Sequence, residues 1–154
     1  RQAALSWMHH IDGTTGERAN VRRLISPTVP DDWDERAIAS RLDWTIDNHL
    51  PVLVEWTMGW VRAADATRPV LDILFTRYED LRGDEEALFR RILDHYGIAG
   101  MPMNMNPPVS SDAALHRRKG QADEWRSVFS AAQRRRASGL LPADLCERSG
   151  WPIP

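Results

Sequence analysis

Residues 70–76 read Val70-Leu71-Asp72-Ile73-Leu74-Phe75-Thr76. The run is short, apolar on both faces apart from Asp72, and preceded by the break Arg68-Pro69. That length and composition predict a strand covered on both sides, as in a parallel sheet flanked by helices. It is the best strand in the sequence. A lone strand cannot satisfy its backbone N–H and C=O groups in water, so others must complete the sheet. They belong either to pairs the pattern hides or to residues this chain does not contain. The chain opens on Arg1, straight into a structured-looking segment, and we expect much of the sheet to lie upstream.

On the N-terminal side the pattern is helical. Ala3, Ala4, Trp7, Met8 and Ile11 recur at helical spacing over residues 1–11, and Gly13 and Gly16 end the run. Residues 12–31 read as a loop. Asp32, with Glu35 three residues on, has the pattern of a helix cap. Ile38, Leu42, Thr45, Ile46 and His49 or Leu50 then make one stripe, continued by Leu53, Val54, Thr57, Trp60, Val61 and Ala64. Pro51 kinks this stretch or begins a new helix, so residues 33–65 are two helices or one bent helix.

On the C-terminal side Tyr78-Glu79-Asp80-Leu81 leaves the end of the expected strand. Asp84 is placed to cap a helix running to about Tyr96, with Leu88, Phe89, Ile92, Leu93 and Tyr96 on its buried stripe and Gly97 just beyond its end. Residues 99–110 form a loop with three Met, three Pro and two Asn. Ser111 caps a short turn to His116, and residues 117–123 are polar loop. Trp125 to Arg136 is helical in character. Pro142 opens a last helix that Gly150 closes.

The composition removes several classes of function. The 154 residues carry 42% apolar and 27% charged side chains, with seven Trp, which is globular rather than disordered. No run of eighteen apolar residues is present, so no membrane span and no membrane partner is expected. Cys146 is the sole cysteine, which excludes an internal disulfide and a cysteine-built zinc site. A net charge of −2 lends no support to a nucleic-acid partner. Nineteen of the twenty basic residues are Arg, and the one Lys is Lys119.

That lysine stands in the sharpest chemical feature, Arg118-Lys119-Gly120. Two adjacent cations and a backbone N–H that glycine leaves open suit a phosphate or sulfate. Equally, a basic tripeptide can be solvated surface. Tyr78, at the end of the expected strand, could lay its ring on a base, or simply pack. The Ser6 hydroxyl could bind an anion or bond back to its own helix. The five histidines show no metal-ligand spacing, and no metal is expected. His95 suits a helix C-terminus, and Arg134-Arg135-Arg136 suits a solvated helix face. His10 could line a substrate pocket if Ser6 holds a cofactor.

Three segments together resemble one family. Residues 70–98, V-L-D-I-L-F-T-R-Y-E-D-L-R-G-D-E-E-A-L-F-R-R-I-L-D-H-Y-G-I, resemble the strand, Tyr-Glu-Asp-Leu and helix of cytosolic-type sulfotransferases. Residues 118–125, R-K-G-Q-A-D-E-W, resemble their Arg-Lys-Gly-x-x-Gly-Asp-Trp signature. The opening R-Q-A-A-L-S-W is similar to the tail of the family's 3′-phosphate segment. The segments come in the family's order and with fitting separations.

The resemblance implies an α/β, P-loop-like fold with a parallel sheet and flanking helices, of which residues 1–154 would be the helix-rich C-terminal portion. It implies transfer of a sulfuryl group from the co-substrate 3′-phosphoadenosine 5′-phosphosulfate (PAPS) to a hydroxyl or amine on a small-molecule acceptor, in the cytoplasm. Carried over by position, Ser6, Arg118, Lys119 and the Gly120 backbone would bind the 3′-phosphate, and Tyr78 the adenine. Helix 1 and residues 99–110 would face the acceptor, with His10 as a contact. Asp123 and Glu124 depart from the signature's Gly and Asp. None of the five histidines matches the family's catalytic base, and the loop for the 5′-phosphosulfate has no counterpart here. The vertebrate dimer motif would fall at Arg126, Ser130, Ala131 and Arg135 and is not kept. The competing expectations are a helical interaction module and a sulfotransferase-like nucleotide binder without activity.

Overall fold

The computed structural model describes residues 1–13, 28–66, 72–98, 100 and 123–152. They divide into two compact units, Arg1–Asp65 with Asp123–Pro154, and Ala66–Ala122.

In the first unit, α1 (Gln2–Asp12) forms where the opening periodicity predicts it and buries Ala4, Leu5, Met8 and Ile11. Fully burying each of the three larger side chains is worth about 1.5–3 kcal/mol before conformational entropy is counted. The last residue of α1, Asp12, holds two side chains from later in the unit. Its Oδ1 accepts from Trp33 Nε1 at 2.9 Å and from Arg41 Nη1 at 3.0 Å. A buried indole needs such a partner, and Trp33 is fully buried. Asp32 does not cap a helix as its spacing predicts. It precedes a single 3₁₀ turn, Trp33–Glu35, and its carboxylate accepts from Arg36 Nε at 2.9 Å instead.

The stretch expected as one bent helix or two is continuous, with a local widening. Helix α2 (Ile38–Trp44) passes through a π-turn (Thr45–His49) into α3 (Leu50–Ala66). Pro51 is the cause. It has no N–H to give the Asp47 carbonyl, and its ring would collide with that carbonyl in a regular helix. Widening to i→i−5 bonding relieves both, and the Leu50 N–H donates to the Thr45 carbonyl.

The chain returns to this unit as α6 (Trp125–Val128), α7 (Ala131–Gly139) and α8 (Ala143–Ser149). Trp125 to Arg136 is therefore not one helix. Phe129 is extended, and Ser130 starts α7 with a full capping box through Gln133. Gln133 Nε2 also reaches the Ala39 carbonyl at 3.1 Å and Asp43 Oδ1 at 3.0 Å, which fixes α7 against α2. Arg136, expected on a solvated face, bridges Asp43 and Asp47. Gly150 closes α8 at φ 62°, in the left-handed region where glycine has no Cβ penalty. Leu42, Ile46, Leu50, Trp125, Phe129 and Ala137 share one core with α1.

In the second unit, α4 (Tyr78–Gly83) and α5 (Glu85–His95) follow a non-helical segment, residues 72–77. Asp84 caps α5 as predicted, its carboxylate accepting from the Ala87 N–H at 2.9 Å. Past the end of α5, Gly97 takes φ 69° and the Ile98 N–H returns to the Leu93 carbonyl at 2.8 Å.

The expected fold class is corrected here. Among the described residues there is no strand and no sheet, so the α/β, P-loop-like parallel-sheet reading fails and the described architecture is helical. Val70 and Leu71, the first two residues of the expected strand, lie outside the described residues. The rest of it, residues 72–76, makes no ladder. Ile73 and Leu74 are half-buried and share a groove with Ile92, His95 and Tyr96, whereas Phe75 is 43% exposed. The Phe75 carbonyl accepts from Arg91 of α5 at 3.5 Å. A short apolar run does not say what lies against it, and partial cover by a helix fits the pattern as well as a sheet does.

Candidate functional site

The first turn of α1 and the close of the Arg118–Trp125 signature are brought together. Trp125 is only 6% exposed. Its backbone N–H donates to Gln2 Oε1 at 3.1 Å, across 123 positions of sequence. The Arg1 guanidinium lies 4.6 Å from the Trp125 ring centroid and that of Arg126 lies 4.7 Å from it. Desolvation by burial is the main reason the Arg1 pKa falls below its ordinary value, the neighbouring Arg126 adding to this. Glu124, the residue before α6, makes no side-chain cap bond, so Gln2 supplies an acceptor that α6 lacks locally. Asp123 accepts from Arg126 Nε at 2.9 Å.

Ser6 lies one turn further along α1, and His10 one turn beyond that. Both are exposed, on the side of the helix that does not face the core. Between them Trp7 is half-buried and carries two imidazoles. The His49 ring is 4.4 Å from it and 6° from parallel, and the His10 ring is 5.2 Å away at 28°. Burial pulls the His49 pKa below its ordinary value, which keeps the imidazole neutral at pH 7. The Trp7 indole nitrogen is buried and has no hydrogen-bond partner among the described residues. Sequence reasoning missed His49 as a neighbour of α1, since nothing local links the two positions.

Tyr78 belongs to the second unit. It is the first residue of α4 and remains 43% exposed. The Tyr-Glu-Asp-Leu segment is thus a helical turn. Asp80 is its fixed point, accepting from Arg77 Nη2 at 2.6 Å and from Arg91 Nη2 at 3.1 Å. The hydrogen bond from Arg77 is the main cause holding the Asp80 carboxyl below its usual range, with that from Arg91 adding to it. This clasp ties the turn to α5 and leaves the Tyr78 ring outside it. His95 ends α5 as expected, with Nδ1 3.6 Å from Asp72 Oδ2.

Arg118, Lys119 and Gly120 lie outside the described residues, as do the Met-rich residues 101–110 and the expected turn from Ser111 to His116. Among the described residues no three His, Cys, Asp or Glu side chains are grouped as a metal site requires. No described helix is long and apolar enough to cross a membrane. Among the described residues, one face of α3 exposes Val52 at 62%, Trp56 at 65% and Trp60 at 45%.

No family model matches the chain, and neither a curated protein nor a solved structure matches it.

Proposed function

We propose that this chain binds a nucleotide bearing a 3′-phosphate, PAPS, and takes part in moving its sulfuryl group to a hydroxyl or amine acceptor. The observation that carries the reading is the bond from Trp125 to Gln2. Two of the three segments that resemble sulfotransferases are those expected to meet at one phosphate. They are the opening segment with Ser6 and the signature with Arg118, Lys119 and Gly120. The signature's last residue is fastened to the first turn of the helix that carries Ser6. Chain-distant cations and a hydroxyl can converge on a dianion only if their segments are held together, and this contact is of that kind.

The roles follow the chemistry of the side chains. The Lys119 ammonium and Arg118 guanidinium would neutralise the 3′-phosphate, with the Gly120 N–H and the Ser6 hydroxyl as neutral donors. Tyr78 would stack on the adenine. In the transfer, an acceptor oxygen or nitrogen attacks sulfur, the bond from sulfur to the 5′-phosphate oxygen breaks, and the acceptor's proton passes to a base. None of the residues assigned here is that base.

The test is thermal protection by 3′,5′-adenosine bisphosphate against adenosine 5′-phosphate. A ligand at a hundred times its Kd adds about 2.7 kcal/mol to stability. The bisphosphate should raise Tm and the monophosphate should do so far less. Lys119→Ala should erase that difference. Equal protection by both nucleotides, or by neither, overturns the reading.

The exposed α3 face favours the rival reading as an interaction module. A mass that rises with protein concentration, and that nucleotide leaves unchanged, would decide for it.

A further inference from the structure

Gly59 sits inside α3, where glycine is the least favourable residue after proline. A Cβ there would meet nothing within 4 Å, so no packing among the described residues calls for it. At 3.6 residues per turn, Gly59 shares an outward sector of about 100° with Val52, Trp56 and Trp60. Those three are the exposed large apolar residues of α3. The two indole rings stand edge to face, with centroids 6.3 Å apart at 79°, so each limits the other's freedom before a partner arrives. One edge of the sector carries Glu55 and Arg62, both more than half exposed. They bond to each other along their own helix, and an ion pair that open to water is worth little there.

We propose that the outward face of α3 pairs with the same face of a second copy of this chain, antiparallel, about a two-fold axis beside Gly59. The charged edge decides the direction. In an antiparallel two-fold pair each edge of the helix faces the same edge of its partner, so Glu55 meets the partner's Arg62, and Arg62 the partner's Glu55. These two positions are balanced about residues 58 and 59. Trp56 and Trp60 are balanced about residue 58, so aromatic and charged contacts close in one register. In a parallel pair each edge faces the opposite one, which here presents Leu53 and Ala64, and both charges go unmatched. Gly59 lies at the centre of the pair, where the missing Cβ leaves room for a Trp ring of the partner.

The area is sufficient for a weak and specific contact. The two rings and Val52 leave roughly 350 Å² of apolar surface open on each copy. With the stems of Glu55 and Arg62, the pair buries roughly 1,000 Å² in all, at the lower bound of specific interfaces. A Kd on the order of 10–100 µM is expected from such an interface. No residue of this face is assigned to nucleotide or acceptor, so the pairing goes beyond the nucleotide reading and does not depend on it.

The experiment is sedimentation equilibrium of the whole chain over concentrations spanning that Kd, with tryptophan emission on the same samples. The mass should rise from one chain toward two, and emission should shift to the blue over the same range as the Trp56 and Trp60 rings leave water. Trp56→Gln should weaken pairing about tenfold. Gly59→Ala should weaken it about fivefold while raising the Tm of the dilute single chain, so misfolding does not explain the loss. Glu55→Arg and Arg62→Glu should each weaken pairing about fivefold at low salt. An equimolar mixture of those two variants should recover it, because opposite charges then meet across the axis although neither chain regains its own pair. A mass fixed at one chain, or pairing that Trp56→Gln leaves intact, overturns the proposal and gives the face to another protein. A mixture no tighter than either charge variant alone overturns it too. Protection by 3′,5′-adenosine bisphosphate then separates the two functional readings in a chain that pairs: with protection the nucleotide reading stands, and without it the interaction module remains.

Discussion

Replacing Gln2 tests whether the contact between α1 and the signature carries stability or is incidental. Gln2 Oε1 accepts from the Trp125 N–H at 3.1 Å, and Trp125 is the first residue of α6, whose N-cap residue Glu124 makes no side-chain cap bond. Gln2→Ala leaves that N–H, beside a ring that is 6% exposed, without its partner. Lost capping bonds cost about 0.5–2 kcal/mol and unsatisfied buried donors about 1–3 kcal/mol. The geometry lies where the two ranges overlap, at about 1–2 kcal/mol. With a urea slope of about 1–3 kcal/mol per molar, the midpoint should fall by roughly 0.3–2 M. All seven Trp lie in the first unit, so tryptophan fluorescence reports this unit by itself. Gln2→Glu is the control. Its carboxylate keeps the acceptor and adds a charge beside the Arg1 guanidinium, so it should stay within about 0.5 kcal/mol of the parent. On the proposed function, Gln2→Ala should also weaken 3′,5′-adenosine bisphosphate several-fold, and Gln2→Glu should not. Equal stability of all three proteins, or an equal loss in both variants, would refute the capping argument.

Other expectations come from the same geometry. The His49 pKa is depressed by burial, so the unfolded chain takes up a proton that the folded one resists. The associated stability is present above the unfolded value of about 6.5 and is lost as pH falls from there toward the folded pKa. His49→Gln should flatten the fall in Tm between about pH 7.5 and 5.5, and superposable slopes would show that His49 does not titrate this way. Asp84→Ala removes the bond to the Ala87 N–H and should destabilise α5 by about 1 kcal/mol, read as faster amide exchange in its first turn. Gly59 and Gly97 should respond oppositely to alanine, although a Cβ meets nothing within 4 Å at either. Gly59 is inside α3, where alanine adds about 0.8–1 kcal/mol, whereas Gly97 sits at φ 69°, where alanine loses about 1–2 kcal/mol. Urea midpoints settle the first and amide exchange in the last turn of α5 the second.

Signals confined to a few neighbouring residues were legible. The extent of α1, the Asp84 cap, Gly97 and Gly150 each stand where their patterns predict, although the buried side of α1 takes Leu5 in place of the expected Ala3. Ser130 with Gln133 three residues on is the same sort of signal, and it could have divided Trp125–Arg136 in advance. Asp32 with Glu35 shows the limit. The spacing is right, but Trp33 must reach Asp12, and that tertiary bond sets the local backbone as a 3₁₀ turn. Residues 72–76 fail for a related reason. A strand is defined by its neighbours rather than by its own side chains, and here the neighbour of Ile73 and Leu74 is α5.

The candidate site divides along the same line. The expectation that Ser6 and the signature suit an anion comes from residue type, because charge and hydrogen-bonding capacity travel with the side chain. What holds the two segments together was not, since Gln2 and Trp125 carry no mark of each other in sequence. His49 is the sharper case. In sequence it is one of several stripe residues on a bent helix. It becomes the partner of Trp7 only because Pro51 forces a π-turn directly before α3, and a π-turn shifts each following side chain around the helix axis. A one-residue change of helical phase thus separates a histidine packed in the stripe from one stacked on Trp7. The amino acid that decides it is neither of the two that meet.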